Sequence, residues 1–236
     1  MRLKRRIFTC VVFIIIVNFI LAAITNVSTD ITSEDEFVFE NELKLKRSKH
    51  KLSYEEEISI IRAVVRQVIE LSPVGSPIPD YQSREPLDLL KNKSGLCYDR
   101  SRTYDKVFKW LGMETRHIYI LYPKHPITGE KLSFWRAFFQ WKSSSHAVTE
   151  VKTSRGWILV DSNSTWVSLT KDGLPVAADD IFYRNSEFSE IPEYFNRNYF
   201  AIRGLYSRRG QLYRPYLPYP QLNWADFLSW IFVYEN

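Results

Sequence analysis

Two cysteines, two methionines, four histidines and eight glycines are all that the 236 residues contain of these types. The shortages exclude several classes. There is no CxxC pair and no HExxH helix, so a zinc site has almost nothing to stand on. No Walker-type or GxGxxG loop offers a phosphate cradle. With eight Gly and eleven Pro and no internal repeat, the chain is neither fibrous nor of low complexity. Charge of one sign is also scarce: 32 basic against 27 acidic residues leave +5. No run of Lys and Arg interleaves with aromatics on a nucleic-acid motif, so that partner is set aside. None of these patterns asks for a cofactor or a metal.

Aromatic residues are abundant: fourteen Tyr, fifteen Phe and seven Trp supply a real core. The chain also has one long apolar run. Arg2, Lys4, Arg5 and Arg6 precede an uncharged stretch from Ile7 to Ile24, just long enough to span a bilayer. The small-x-small cleavage pattern is poor, because Leu21 stands two positions before Ala23. Residues 1–25 are therefore read as a signal anchor, with a cleaved signal peptide and a secreted product as the alternative. The basic end stays in the cytoplasm, and the rest lies on the outer side, periplasmic or extracellular. Cys10 falls in that run, so Cys97 becomes the lone exported thiol, without a disulfide partner.

Residues 26–52 read as a charged linker, acidic from Asp30 to Glu42 and basic from Lys44 to Lys51. Residues 53–236 form the folded domain. Ser53 with Glu56 makes a capping box, and Ile58, Ile61, Val64, Val65, Val68, Ile69 and Leu71 stripe the helix that Pro73 ends. A Pro-rich surface loop leads to the next helix. There Cys97, Ser101, Tyr104, Phe108 and Leu111 recur at spacings of four and three, and Gly112 supplies the stop. Cys97 sits in the first turn of that helix, where the macrodipole and free N–H groups favour thiolate.

Beyond Gly112 the pattern turns extended. Arg116 to Tyr122 is a strand, and Phe134 to Trp141 is a second candidate whose apolar run also fits a helix. Ser145 to Val151 and Trp157 to Asp161 flank a polar turn and form an antiparallel hairpin. With Val151 opposite Gly156, His146 pairs with Asp161 on one face. The carboxylate then fixes the imidazole tautomer, and the imidazole takes the thiol proton. Glu150, on the same face, reads as a structural ion-pair partner. His50, His117 and His125 have no comparable arrangement.

Taken together, Gly95-Leu96-Cys97, Gly112 to Arg116, His146-Ala147 with Glu150-Val151, and Trp157 to Asp161 resemble the transglutaminase-like superfamily of papain-related thiol enzymes. The likeness covers roughly residues 86–161. It implies an α+β fold, with the cysteine helix packed on an antiparallel sheet and preceded here by the membrane helix. It also implies Cys97 as nucleophile, His146 as base and acid, and Asp161 as the orienting residue. Three positions depart from the pattern: Tyr98, Val148 and Ser162-Asn163.

After Trp166 the chain is rich in Tyr, Phe, Arg and Asn, read chiefly as packing residues, with a cell-surface glycan as a further ligand. Phe227 to Phe232 form a terminal helix that caps the domain or lies at the membrane interface, capping being preferred. The expected activity is hydrolysis of an amide or peptide bond in a protein or peptide substrate, through an acyl-thioester on Cys97. Two alternatives stay open: a protein-glutamine amine transferase, and a non-catalytic surface binding module on the same fold.

Overall fold

The computed structural model describes residues 2–48, 50–80, 82–125, 128–141, 143–214 and 216–233. In chain order it contains α1 (Arg2–Ile24), α2 (Ser33–Phe37, continued by a π turn Val38–Glu42), α3 (Tyr54–Leu71), α4 (Pro86–Asn92) and α5 (Cys97–Trp110). Then follow β1 (Thr115–Leu121), α6 (Phe134–Phe139), β2 (Ser145–Thr153) and β3 (Gly156–Val160). Last come β4 (Phe200–Arg203), β5 (Leu205–Ser207), β6 (Gln221–Leu222) and α7 (Trp224–Val233). The main sheet is antiparallel throughout, in the order β3-β2-β1-β4, and α5 packs on β1 and β2. The fold is thus α+β, with the cysteine-bearing helix on an antiparallel sheet.

Helix α3 starts on the expected capping box: Ser53 Oγ accepts from the Glu56 N–H, and Glu56 reaches back to the Ser53 N–H. Its stripe buries Ile61, Val64, Val65 and Val68 against Tyr104, Val107 and Phe108 of α5. Each such side chain contributes about 1.5–3 kcal/mol by leaving water.

Helix α5 departs from the one-sided pattern expected of it. Every residue from Asp99 to Phe108 is buried, charges included. The surrounding elements supply the counter-charges: Arg84–Asp99 at 2.8 Å, Arg102–Glu85 at 2.9 Å, and Lys106 with Asp35 at 2.6 Å and Glu85 at 2.7 Å. Buried charges paired in this way are tolerated only while both partners stay.

Asp35 belongs to the stretch read as a solvated tether, and the structure corrects that reading. Thr32 caps α2, while Val38, Phe39 and Leu43 are buried in the same cluster as α3 and α5. Three well-spaced apolar side chains among the acids are enough to dock the segment. Phe134–Phe139 is the helix α6 and not a strand. One side of it, through Phe134 and Phe138, packs with β4 and α7.

The hairpin exists with a different register. The chain turns in two residues, Ser154 and Arg155, so Thr153 faces Gly156 and Val151 faces Ile158. Gly156 takes φ +133°, backbone that favours glycine. The ladder is shifted by two from the expected pairing, which preserves parity. Continued past Val160, it sets Asp161 diagonal to His146 on the same face, within reach across the strands.

Alternation along β2 divides its side chains. Thr149 and Val151 meet α5, through Ser101 and the first core cluster. Val148 packs on the other face, with Ile118, Ile120, Leu159 and the 176–195 segment. That segment is the lid of the second cluster, which gives the aromatic-rich last third its packing role.

Candidate active site

Cys97 is the first residue of α5, so its N–H and that of Tyr98 have no acceptor within the helix. Gly95 brings the chain there. A Cβ at that position would stand 2.7 Å from Leu89 Cδ1 and 3.1 Å from Asp99 Cβ. The glycine thus lets α4 press against the start of α5. Asp99 accepts from the Leu96 N–H at 2.8 Å and fastens the first turn.

The partly exposed Cys97 thiol and the buried His146 ring are neighbours, close enough for each to shift the titration of the other. His146 Nε2 lies 2.7 Å from Asp161 Oδ1. An ionised carboxylate only accepts, so Nε2 carries the proton and Nδ1 is the nitrogen left for the sulfur. Asp161 takes three further donors: the Asn163 N–H at 3.1 Å, the Ser164 hydroxyl at 2.6 Å and the Tyr194 hydroxyl at 2.6 Å.

The charges of the three groups follow. Burial pushes the Cys97 thiol up, but the His146 hydrogen bond and charge, with the Ala147 and Tyr98 N–H groups, hold it below its ordinary value. Burial pushes His146 down, yet hydrogen bonds to Asp161 and Cys97 and their negative charges raise it to about 9. Burial raises the Asp161 carboxyl, and His146, Ser164 and Tyr194 together bring it below the usual carboxylate range. The pair is therefore poised as thiolate and imidazolium, an assignment that belongs to both groups jointly.

Two residues of this arrangement were not foreseen. Tyr194, whose ring centroid is 4.8 Å from that of His146, comes from the last third of the chain. Arg100, fully buried one turn into α5, clamps the helix to the loop after β3. It donates to the carbonyls of Gly95 at 2.7 Å, Pro73 at 3.1 Å and Ser72 at 3.3 Å, and to Asn163 Oδ1 at 2.7 Å. Its Nε also donates to the Ser162 carbonyl. Ser162-Asn163, a departure from the family pattern, is thus the acceptor for this clamp. Val148 fills the second core cluster, and Tyr98 lies under the Arg84 guanidinium at 4.8 Å.

A cleft of about 540 Å³ is walled by Tyr98 and Ser145, the chain neighbours of Cys97 and His146, and by Arg84, Tyr119, Trp141 and Arg208, while Cys97 and His146 themselves do not line it. His117, set aside from the sequence, is buried elsewhere. Its Nδ1 lies 2.9 Å from Ser101 Oγ and 3.2 Å from Asp105 Oδ2, and its ring stacks on Tyr206. Both contacts use one nitrogen, so this cluster lacks the relay geometry of His146. Glu150 pairs with Arg116 at 2.5 Å and accepts from the Ala178 N–H, a structural role. Among the described residues no group of three or more His, Cys, Asp and Glu could hold a metal.

A thiol at a helix start, meeting an imidazole on an antiparallel sheet, has the architecture of a thiol-enzyme fold. A family model described as the transglutaminase-like superfamily matches residues 44–162, half of the chain, and spans all three residues of the constellation. The protein belongs to the transglutaminase-like superfamily. No curated protein matches the chain. The helix at its N-terminus, Arg6–Ile24, is long and apolar enough to cross a membrane, as either an anchor or a signal peptide.

Proposed function

We propose that the protein is a membrane-anchored, exported thiol hydrolase acting on amide or peptide bonds. The observation that carries this reading is Cys97 at the head of α5 beside His146, with Asp161 bonded to the far side of the imidazole at 2.7 Å. Cys97 thiolate attacks the carbonyl carbon, and the developing oxyanion meets the Cys97 N–H at the positive end of α5. As the C–N bond breaks, imidazolium His146 gives its proton to the leaving amine, leaving an acyl-thioester on the sulfur. Water then attacks the thioester, with His146 accepting its proton, and the carboxylic acid departs as thiolate is restored. Asp161 holds the ring orientation and its charged form throughout.

Hydrolysis is preferred to amine transfer because nothing in the sequence marks a site for an amine acceptor. The choice of reaction rests on chemistry and analogy, since one fold hosts several reactions. The basic residues Arg2, Lys4, Arg5 and Arg6 at the start of α1 support an outward-facing domain by the charge bias of membrane insertion.

The test uses p-nitrophenyl acetate as acyl donor and mass spectrometry of the intact chain. A transient acetyl adduct on Cys97 that clears in water, absent in Cys97→Ala and slowed in His146→Ala, supports the hydrolase. Transfer of the acetyl group to added dansylcadaverine in preference to water favours the amine transferase. No adduct at Cys97 removes the enzymatic reading.

A further inference from the structure

The third hydrophobic cluster, under β4, buries the inner sides of α6 and α7 and leaves their outer sides bare. Trp135 is 65% exposed, Phe139 71%, Trp141 73%, Leu228 43% and Phe232 66%. So many large apolar side chains left bare on two helices that share one cluster mark a docking surface. Trp135 and Phe139 stack at 6.0 Å, one turn apart, as a flat aromatic platform. Basic groups edge it: Arg209 lies 3.9 Å over the Trp141 ring, and Arg136 is beside Trp135 in the chain.

The contacts of α7 also say what covers these helices. Helix α7 is tied to the foot of α1. Trp224 Nε1 donates to the Ala22 carbonyl at 2.7 Å, and the Trp224 N–H to Asn26 Oδ1 at 3.1 Å. Val27 N–H donates to the Leu222 carbonyl at 2.8 Å, and Asn223 Nδ2 to the Val27 carbonyl at 2.9 Å. The apolar segment Arg6–Ile24 has 19 residues. At about 1.5 Å per residue it matches a hydrocarbon core of about 30 Å. Ala22 therefore sits at the boundary between acyl chains and headgroups, and Trp224, bonded to its carbonyl, sits there too. Tryptophan favours that depth, with an apolar ring inward and its N–H toward the polar side.

We propose that the outer face of α6 and α7 rests on the bilayer that α1 enters, making the domain a monotopic companion of its own anchor. The proposal rests on the anchor reading of α1. Leu228, Phe232, Phe139 and Trp135 enter the headgroup–acyl boundary, and Arg136 and Arg209 reach lipid phosphates. Trp141 belongs both to this face and to the cleft walled by Tyr98, the residue after Cys97, so docking sets the mouth of that cleft at the membrane surface. The substrate class is then a polypeptide presented close to the bilayer.

The seven tryptophans are at 110, 135, 141, 157, 166, 224 and 230, and none is in α1, so quenching by lipid reads the domain alone. The full chain is reconstituted into vesicles of phosphatidylcholine and phosphatidylglycerol carrying brominated acyl chains. Flotation of the vesicles reports on the anchor, and quenching of tryptophan emission reports on the face. The expected result is flotation with strong quenching, of which Trp135→Phe/Trp141→Phe removes the larger part, these being two of the three tryptophans placed at the interface. An unchanged melting temperature of that variant shows that the fold is intact. Flotation without quenching, or quenching untouched by the double variant, overturns the docking while leaving the anchor. Tryptophans shielded by self-association of the chain, detected by cross-linking in vesicles, overturn it in favour of a second copy. Failure to float overturns the anchor and the docking together.

Discussion

Replacing Arg100 by Met tests the clamp that holds the thiol helix against the carboxylate loop. Methionine fills much of the aliphatic volume but donates nothing. Four carbonyls, of Ser72, Pro73, Gly95 and Ser162, and the Asn163 side chain lose their donor. A buried acceptor left unpaired costs about 1–3 kcal/mol, less where water enters. Against that, removing a desolvated guanidinium, whose pKa burial already lowers, returns part of the cost. The balance is a loss of about 2–4 kcal/mol, because several acceptors are orphaned for one charge removed. Urea unfolding of the full chain in detergent, followed by tryptophan emission, measures it. Alkylation of Cys97 in the same variant loses its low-pH reactivity, since Asp161 is no longer set against His146. A loss under about 0.5 kcal/mol with an unchanged thiol profile refutes the clamp.

Three other outcomes follow from the same geometry. Tyr194→Phe removes one of four donors to Asp161 and raises its carboxyl from the lowered value, which NMR titration of the carboxyl carbon detects as an ionisation at higher pH. Gly95→Ala forces Leu89 or Asp99 to shift and destabilises by about 1–3 kcal/mol in urea, with a larger fall in Cys97 reactivity than an exposed Gly→Ala would give. Asp226 is raised to about 6 by burial and by the charge of Asp105, so its ionisation opposes folding. That penalty is absent below about pH 4, grows through pH 6 and is complete above it. Asp226→Asn therefore stabilises the protein at pH 8 by about 1–2 kcal/mol, the two-unit shift discounted for partial exposure, and leaves it unchanged at pH 3.5.

Local signals carried most of what the sequence shows. The Ser53–Glu56 box, the stripe of α3, the start of α5 and the hairpin all depend on neighbours within a few residues, and each forms where its pattern puts it, the hairpin with its register shifted by two. Parity brought His146 and Asp161 to one face even though the register was two residues off, because only an odd slip would separate them. What could not be read depends on distant partners. The charged positions of α5 look solvent-facing until Asp35, Arg84 and Glu85 arrive from other elements. Arg100 and Tyr194 look like any surface Arg and Tyr, since their acceptors lie tens of residues away along the chain. The 26–52 segment misled for the same reason: its charge pattern hid Val38, Phe39 and Leu43, whose burial needs α3 and α5 in place.

The rate of alkylation of Cys97 by iodoacetamide across pH 4 to 10 bears most directly on the thiolate–imidazolium pair. Wild-type protein is expected to react at a plateau reached well below the ordinary thiol pKa, and His146→Ala to shift that rise upward, to the ordinary thiol value or above it. A rise at the ordinary pKa that is indifferent to His146→Ala contradicts the account.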